Sequence, residues 1–183
     1  EIRRDVQYAV IPCTIPSINL NGPNPICLGT STTLTATGGV GGTSYAWNTG
    51  ATTSSIVVAP TAIGTYTFYV YTTVSPTCHT SGSISIVVDP LPVVVASADQ
   101  TICPGTSTAL SVTGGSVTYA WSPSGSLNSS NISNPVATPP GTTSYIVMGT
   151  DTNGCTNKDS VQITIGTEPV ALFSFVPEMS CTG

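Results

Sequence analysis

The sequence contains the same unit twice. Residues Ile26–Gly39 align with Ile102–Gly115, and ten of those fourteen positions are identical. Downstream, Tyr45-Ala46-Trp47 matches Tyr119-Ala120-Trp121, and Gly64-Thr65-Tyr66 falls with Thr143-Ser144-Tyr145. Cys78 then answers to Cys155, and each unit closes on an apolar-alternating run, Ser83–Val88 and Ser160–Ile165. Cys27 and Cys103 stand 76 residues apart. That period is too long for a helical or leucine-rich repeat and suits a small seven-stranded sandwich. Asp89-Pro90-Leu91-Pro92 is a proline-stiffened linker between units, and Thr167-Glu168-Pro169 marks a matching boundary. The expected organisation is an N-terminal strand and linker over 1–16, a first repeat over 17–90 and a second over 91–168. Residues 169–183 then begin a third repeat or supply an assembly strand.

An all-β fold follows from the residues between those landmarks. Thr and Val dominate, and β-branched side chains pack well on a pleated surface. Eighteen Gly and fifteen Pro punctuate short segments, as many short strands require. Period-two alternation places Leu34 with Ala36, Leu110 with Val112, Ile84 with Ile86 and Val88, and Val161 with Ile163 and Ile165. In 66–71 it places Tyr66, Phe68 and Val70 on one side. Trp47 and Trp121 are expected in the core, on a central strand; carbohydrate stacking by an exposed tryptophan is the alternative.

Charge excludes several partners. Only 6% of residues are charged, the net charge is -5, and the basic residues are Arg3, Arg4 and Lys158. Nucleic-acid binding needs several cations to displace counterions from phosphates, and an anionic membrane needs a polybasic patch. Neither is present, and no apolar run approaches the ~18 residues of a spanning helix, so neither nucleic acid nor direct membrane insertion is expected. Catalysis needs positioned acids, bases or nucleophiles. The chain offers five Asp, three Glu and one His, His79, which is expected in a solvated turn with no counterpart in the second unit. No enzyme activity, metal or cofactor is expected. Asp151-Thr152-Asn153-Gly154 has one carboxylate where calcium wants several, and reads as a β-turn. Gly38-Gly39-Val40-Gly41-Gly42 is a loop cluster, with no lysine after it to make a phosphate loop. Asn128-Ser129-Ser130 and Asn131-Ile132-Ser133 are acceptor sequons for N-glycosylation in a polar loop.

Six cysteines in such a chain point to an oxidising compartment. Cys27 and Cys78 are 51 residues apart, Cys103 and Cys155 are 52. The economical pairing is therefore within each repeat, Cys27–Cys78 and Cys103–Cys155. Close-spaced ligands of a zinc site are absent. Cys13 follows Val6–Pro12, which reads as a closing strand; Cys181 stands where a third repeat would put its first cysteine, after Phe173–Pro177. Two readings stand: an excerpt of a longer repeat protein, or head-to-tail assembly in which a terminal strand completes a neighbour's sheet and Cys13 of one copy bonds Cys181 of the next.

The pattern Cys103-Pro104-Gly105-Thr106-Ser107-Thr108, then Tyr119-Ala120-Trp121, Pro140–Tyr145 and Thr150–Cys155 resembles the bacterial Ig-like and PKD-like repeats of Bacteroidetes surface proteins. The resemblance covers roughly 17–168. The first repeat departs from it: Leu28 replaces the proline, and Val74-Ser75-Pro76-Thr77 replaces the Asp-x-Asn-Gly turn. The resemblance implies two tandem immunoglobulin-like β-sandwiches in an elongated array, exported by the type nine route and displayed on the cell surface. It implies a structural or adhesive module, with copies of itself, neighbouring repeats or surface glycans as partners, and the subunit of a filament as its assembled form. A carbohydrate- or receptor-binding module and an accessory region of a secreted hydrolase are the alternatives. Asp159-Ser160-Val161 also resembles that group's O-glycosylation motif, which makes Ser160 a candidate site.

Overall fold

The computed structural model describes residues 13–38, 44–75 and 78–167. Cys181, the strand expected over Val6–Pro12, the segment 169–183 and most of the Gly38–Gly42 cluster lie outside them. The chain divides into two compact units, Glu1–Leu91 and Pro92–Gly183.

Unit 1 contains β1 (Ser17–Asn21), β2 (Ile26–Cys27), β3 (Thr32–Thr37), β4 (Ser44–Trp47), β5 (Ser55–Val58), β6 (Gly64–Ser75) and β7 (Cys78–Asp89). One sheet has the order β1-β3-β5, the other β2-β7-β6-β4. The first segment changes sheets: β1 runs antiparallel to β3, whereas β2 runs parallel to β7, with Ile26 opposite Val88. Asn24, in the connection, accepts from the backbone N–H of Val87 and donates to the carbonyl of Ser85. Its amide thus covers the part of the β7 edge that β2 leaves unpaired.

Unit 2 repeats the plan with β8 (Val94–Ala96), β9 (Gln100–Ile102), β10 (Thr108–Ala109), β11 (Val112–Gly114), β12 (Thr118–Ser122), β13 (Val136–Ala137), β14 (Thr143–Thr150) and β15 (Thr156–Ile165). Its larger sheet has the order β12-β14-β15-β9, and β9 is parallel to β15. The opposing layer is made of β8–β11 and β10–β13. Asp99 does the work of Asn24, accepting from the N–H of Gln162. Gly114 has φ +136°, and a Cβ there would lie 1.8 Å from the Val93 carbonyl oxygen. Only glycine allows β8 so close an approach.

Each unit is a sandwich closed by its own apolar layer. Leu34, Ala36, Ile56 and Val58 from one sheet meet Trp47, Phe68, Val70, Ile86 and Val88 from the other. Leu110, Val112 and Ala137 meet Trp121, Tyr145, Val147, Val161 and Ile163. The period-two reading of these strands holds at the buried positions, and Ile84 and Ile165 are half-buried. Both tryptophans are buried, and each indole N–H finds a backbone carbonyl: Thr53 at 2.8 Å and Ile132 at 3.0 Å. They do not lie on central strands. Among the described residues β4 and β12 stand at sheet edges, and the opposite sheet, rather than flanking strands, covers the indoles.

Strand register also moves one correspondence. Trp47 pairs with Val70 and Trp121 with Val147, so Phe68, not Tyr66, holds the place of Tyr145. The Tyr66 hydroxyl instead donates to the Ala62 carbonyl at 3.1 Å, and that of Tyr145 pairs with Ser126 Oγ.

Leu110→Ala removes a fully buried side chain from the middle of unit 2. It should lower unfolding free energy by about 2–5 kcal/mol, whereas Thr65→Ala, on the exposed side of β6, should change it by less than about 0.5 kcal/mol. Urea unfolding followed by tryptophan fluorescence measures both.

Candidate functional site

The cysteines lie elsewhere than their spacing suggested. Cys13 is bonded to Cys78, with Cα atoms 5.6 Å apart. Cys27 and Cys155 are also disulfide-bonded, and Cys103 is an exposed free thiol. The expected pairs Cys27–Cys78 and Cys103–Cys155 therefore do not form. The reason is strand direction. Cys27 pairs in register with Asp89, at the last residue of β7, while Cys78 is its first. Eleven residues of strand separate them by about 36 Å, and a disulfide spans at most about 7 Å between Cα atoms. Ile102, beside Cys103, likewise pairs with Ile165 at the far end of β15 from Cys155. The expected intermolecular bond through Cys13 is removed by the same finding.

Cys13 instead ties the segment before β1 to the hairpin of β6 and β7. Thr80 reinforces that attachment by donating to the Thr14 carbonyl at 3.3 Å. In unit 2 Asn157, one residue pair into the corresponding hairpin, donates to the Pro92 carbonyl at 3.0 Å. Both units thus hold their leading segment through a polar side chain near the start of the last strand.

Asp159 provides a second attachment. Its Oδ2 accepts from the N–H of Ala96 on β8 at 2.9 Å, and its Oδ1 from the N–H of Ser160 at 2.8 Å. These bonds, Ala96 first and Ser160 second, hold its pKa below the usual carboxylate range against a smaller opposing effect of desolvation. Asp151 is similarly occupied. Its Oδ1 accepts from the N–H groups of Asn153 and Cys155, both at 2.9 Å, and Gly154 at φ +81° completes the turn. The segment read as a β-turn closes the β14–β15 hairpin. Among the described residues no cluster of three or more His, Cys, Asp or Glu side chains could hold a metal ion. His79 lies on β7 rather than in a turn, exposed, with Nδ1 3.1 Å from Thr73 Oγ1.

The candidate modification sites are all exposed. Ser160 lies midway along β15, beside a shallow depression of about 270 Å³ lined also by Ser144, Ile146, Lys158 and Asp159. Asn131 stands in the loop before β13. Asn128 accepts from the N–H of Val136 at 2.8 Å, leaving the amide nitrogen where a glycan would attach.

Sequence reasoning missed one surface feature. Tyr69 and Tyr71 point outward from β6, 45% and 58% exposed. Alternation carried the signal: a strand that turns Phe68 and Val70 inward must turn their odd-numbered neighbours out.

Each unit is an antiparallel sandwich whose first segment changes sheets to pair in parallel with the last strand, so the chain is a tandem of two immunoglobulin-like domains. No family model matches the sequence, and no curated protein matches it. Among solved structures it is similar to the three N-terminal domains of the highly immunogenic outer capsid protein Hoc of bacteriophage RB49. That match has 17% identity and a TM-score of 0.39, over 82% of this chain and 58% of that one. It is also similar to the N-terminal Ig1-2 module of the Drosophila receptor protein tyrosine phosphatase DLAR. There the identity is 11% and the TM-score 0.33, over 84% of this chain and 100% of that one. A third is the Bacteroides ovatus protein SGBP-B of a mixed-linkage glucan utilization locus, in complex with a mixed-linkage heptasaccharide. Its identity is 17% and its TM-score 0.30, over 89% of this chain and 48% of that one.

Two tests follow. Under native, non-reducing conditions a maleimide should label Cys103, while Cys13, Cys27, Cys78 and Cys155 should label only after reduction; peptide mapping reads this. Cys13→Ser/Cys78→Ser opens a link spanning 65 residues, and should cost about 4 kcal/mol in the chain-entropy account.

Asp159→Asn keeps one acceptor where two N–H groups need one each, so the variant should unfold at lower urea than the parent at pH 7. Asp159 has its pKa lowered by folding, so its contribution is fully present above the unfolded value of about 4 and is lost as pH falls through the lower folded value. The difference between variant and parent should therefore narrow below about pH 4. A gap that is unchanged in acid would contradict the assignment.

Proposed function

We propose that this chain is a non-catalytic structural and adhesive repeat module of an extracellular, cell-surface protein, and that copies or successive modules assemble head to tail. The observation that carries the reading is the duplication of one sandwich with its supports intact. Both units keep the buried tryptophan, the parallel pairing of the first segment with the last strand, and the polar hold on the leading segment. Selection for a repeated mechanical body, rather than for one reactive pocket, accounts for such duplication. Disulfides support an oxidising, extracellular setting. Outward positions rich in Ser and Thr, with 6% charge in the chain, leave sheet edges little protected against pairing with another chain, and such pairing is what assembly uses.

Electron microscopy of the chain purified without reductant tests the assembly. Regular fibres are expected; isolated particles at every concentration would remove the filament from the proposal. Non-reducing electrophoresis separates a covalent from a non-covalent form. With Cys13 engaged by Cys78 and Cys103 free, a disulfide-linked dimer abolished by Cys103→Ser marks the covalent form.

A further inference from the structure

We propose that the outward face of β4, β6 and β7 in unit 1 binds a neutral oligosaccharide, with Tyr69 and Tyr71 as its stacking platform. The proposal is independent of head-to-tail assembly. It starts from tyrosines that the fold does not use. The Tyr66 and Tyr145 hydroxyls are engaged within their units, and Tyr45 and Tyr119 pack against the cores. Tyr69 and Tyr71 are the exposed pair among the described tyrosines, and neither hydroxyl makes a hydrogen bond to a described residue. They are two apart on one strand, so their rings stand roughly 7 Å from each other on the same side.

Their surroundings leave the rings open. Across the ladders Tyr71 lies between Ala46 and Ser81, and Tyr69 faces Ser83. None of these neighbours is large enough to cover an aromatic face. The platform is also held in place. Asn48 donates its backbone N–H to the Tyr69 carbonyl at 3.0 Å, and its Oδ1 accepts from the Tyr69 N–H at 3.1 Å. Its amide nitrogen donates to the Thr67 carbonyl at 3.2 Å. Tyr69 is thus bonded on the β4 side through a side chain as well as the backbone, and a rigid platform loses little entropy when a ligand settles on it.

The composition of the face selects the ligand. No Asp, Glu, Lys or Arg stands on β4 or β6, and on β7 the sole one is Asp89, at its last residue. Among the described residues of these strands a charged ligand finds no carboxylate, ammonium or guanidinium partner before Asp89. The face offers aromatic rings, whose negative π surfaces attract polarised C–H groups, beside a row of serine hydroxyls. A pyranose presents C–H groups on one side of its ring and hydroxyls around the rim, so a neutral sugar chain satisfies both. Unit 2 provides an internal contrast. At the corresponding positions of β14 it carries Ile146 and Met148, 45% and 46% exposed, which match the tyrosines in apolar exposure but offer no ring.

The contrast supplies the decisive variant. The full chain is titrated calorimetrically with cellohexaose, laminarihexaose, xylohexaose and mannohexaose, and with polygalacturonate as a charged control. At least one neutral hexasaccharide should bind at millimolar concentration or below. Tyr71→Ala should weaken it roughly ten-fold, and Tyr69→Phe/Tyr71→Phe should retain most of the affinity. Tyr69→Ile/Tyr71→Met should abolish binding while leaving the circular dichroism and thermal transition as in the parent. Failure of every neutral hexasaccharide to bind overturns the proposal. So does binding that survives the Ile/Met exchange, which would mark the face as a general apolar contact, and so does tighter binding of polygalacturonate.

Discussion

Each unit depends on the burial of one side of its long last hairpin against the opposing sheet. On β6 and β7 every second side chain from Phe68 to Val70 and from Ile86 to Val88 enters the core; on β14 and β15 Tyr145, Val147, Val161 and Ile163 do the same. A domain of some 75 residues buries only about three-fifths of its unfolded surface, so its apolar layer leaves little surplus over chain entropy. Where antibody domains place a disulfide across the sheets against the core tryptophan, these units place apolar side chains around Trp47 and Trp121. The sulfur chemistry is thereby released from the core to the ends of the sandwich.

Polar side chains do the remaining fastening. Asn24, Asn48, Asp99 and Asp159 each accept from backbone N–H groups that a strand neighbour would otherwise satisfy, and Asp151 accepts from two within its own turn. A side chain that serves the backbone in this way covers an exposed edge and removes an unsatisfied donor at once. The repeat uses such side-chain bonds at matching places, although the residues differ: Asn24 answers to Asp99 in accepting from an N–H, and Thr80 to Asn157 in donating to a carbonyl. The outward faces are consequently free to differ, and they do, with tyrosines in one unit and Ile146 and Met148 in the other.

The sandwich, its strand alternation and its core tryptophans were legible in the sequence because each is a local property repeated twice. Leu34 with Ala36 and Leu110 with Val112 share a face for reasons internal to one strand. The turn at Asp151 was legible too, since Asn153-Gly154 carries its own backbone preference. The disulfides were not. Equal spacings of 51 and 52 residues suggested pairing within each repeat, but spacing says nothing about which end of a sandwich a residue reaches. The parallel pairing of β2 with β7 carries Cys27 to the end opposite Cys78, and nothing local to Cys27 encodes that.

The amino-acid order alone determined what each segment is: strand or turn, inward or outward side, and the fact of two copies. Those properties depend on interactions within a few residues, or on the hydrophobic pattern of a single strand. Only the tertiary structure decided which segments meet. It brought Cys13 to Cys78, Asp159 to Ala96 and Asn48 to Tyr69, across separations of 65, 63 and 21 residues. Such meetings depend on strand order and direction, which are settled by how two sheets close over a shared core, not by any one stretch of chain.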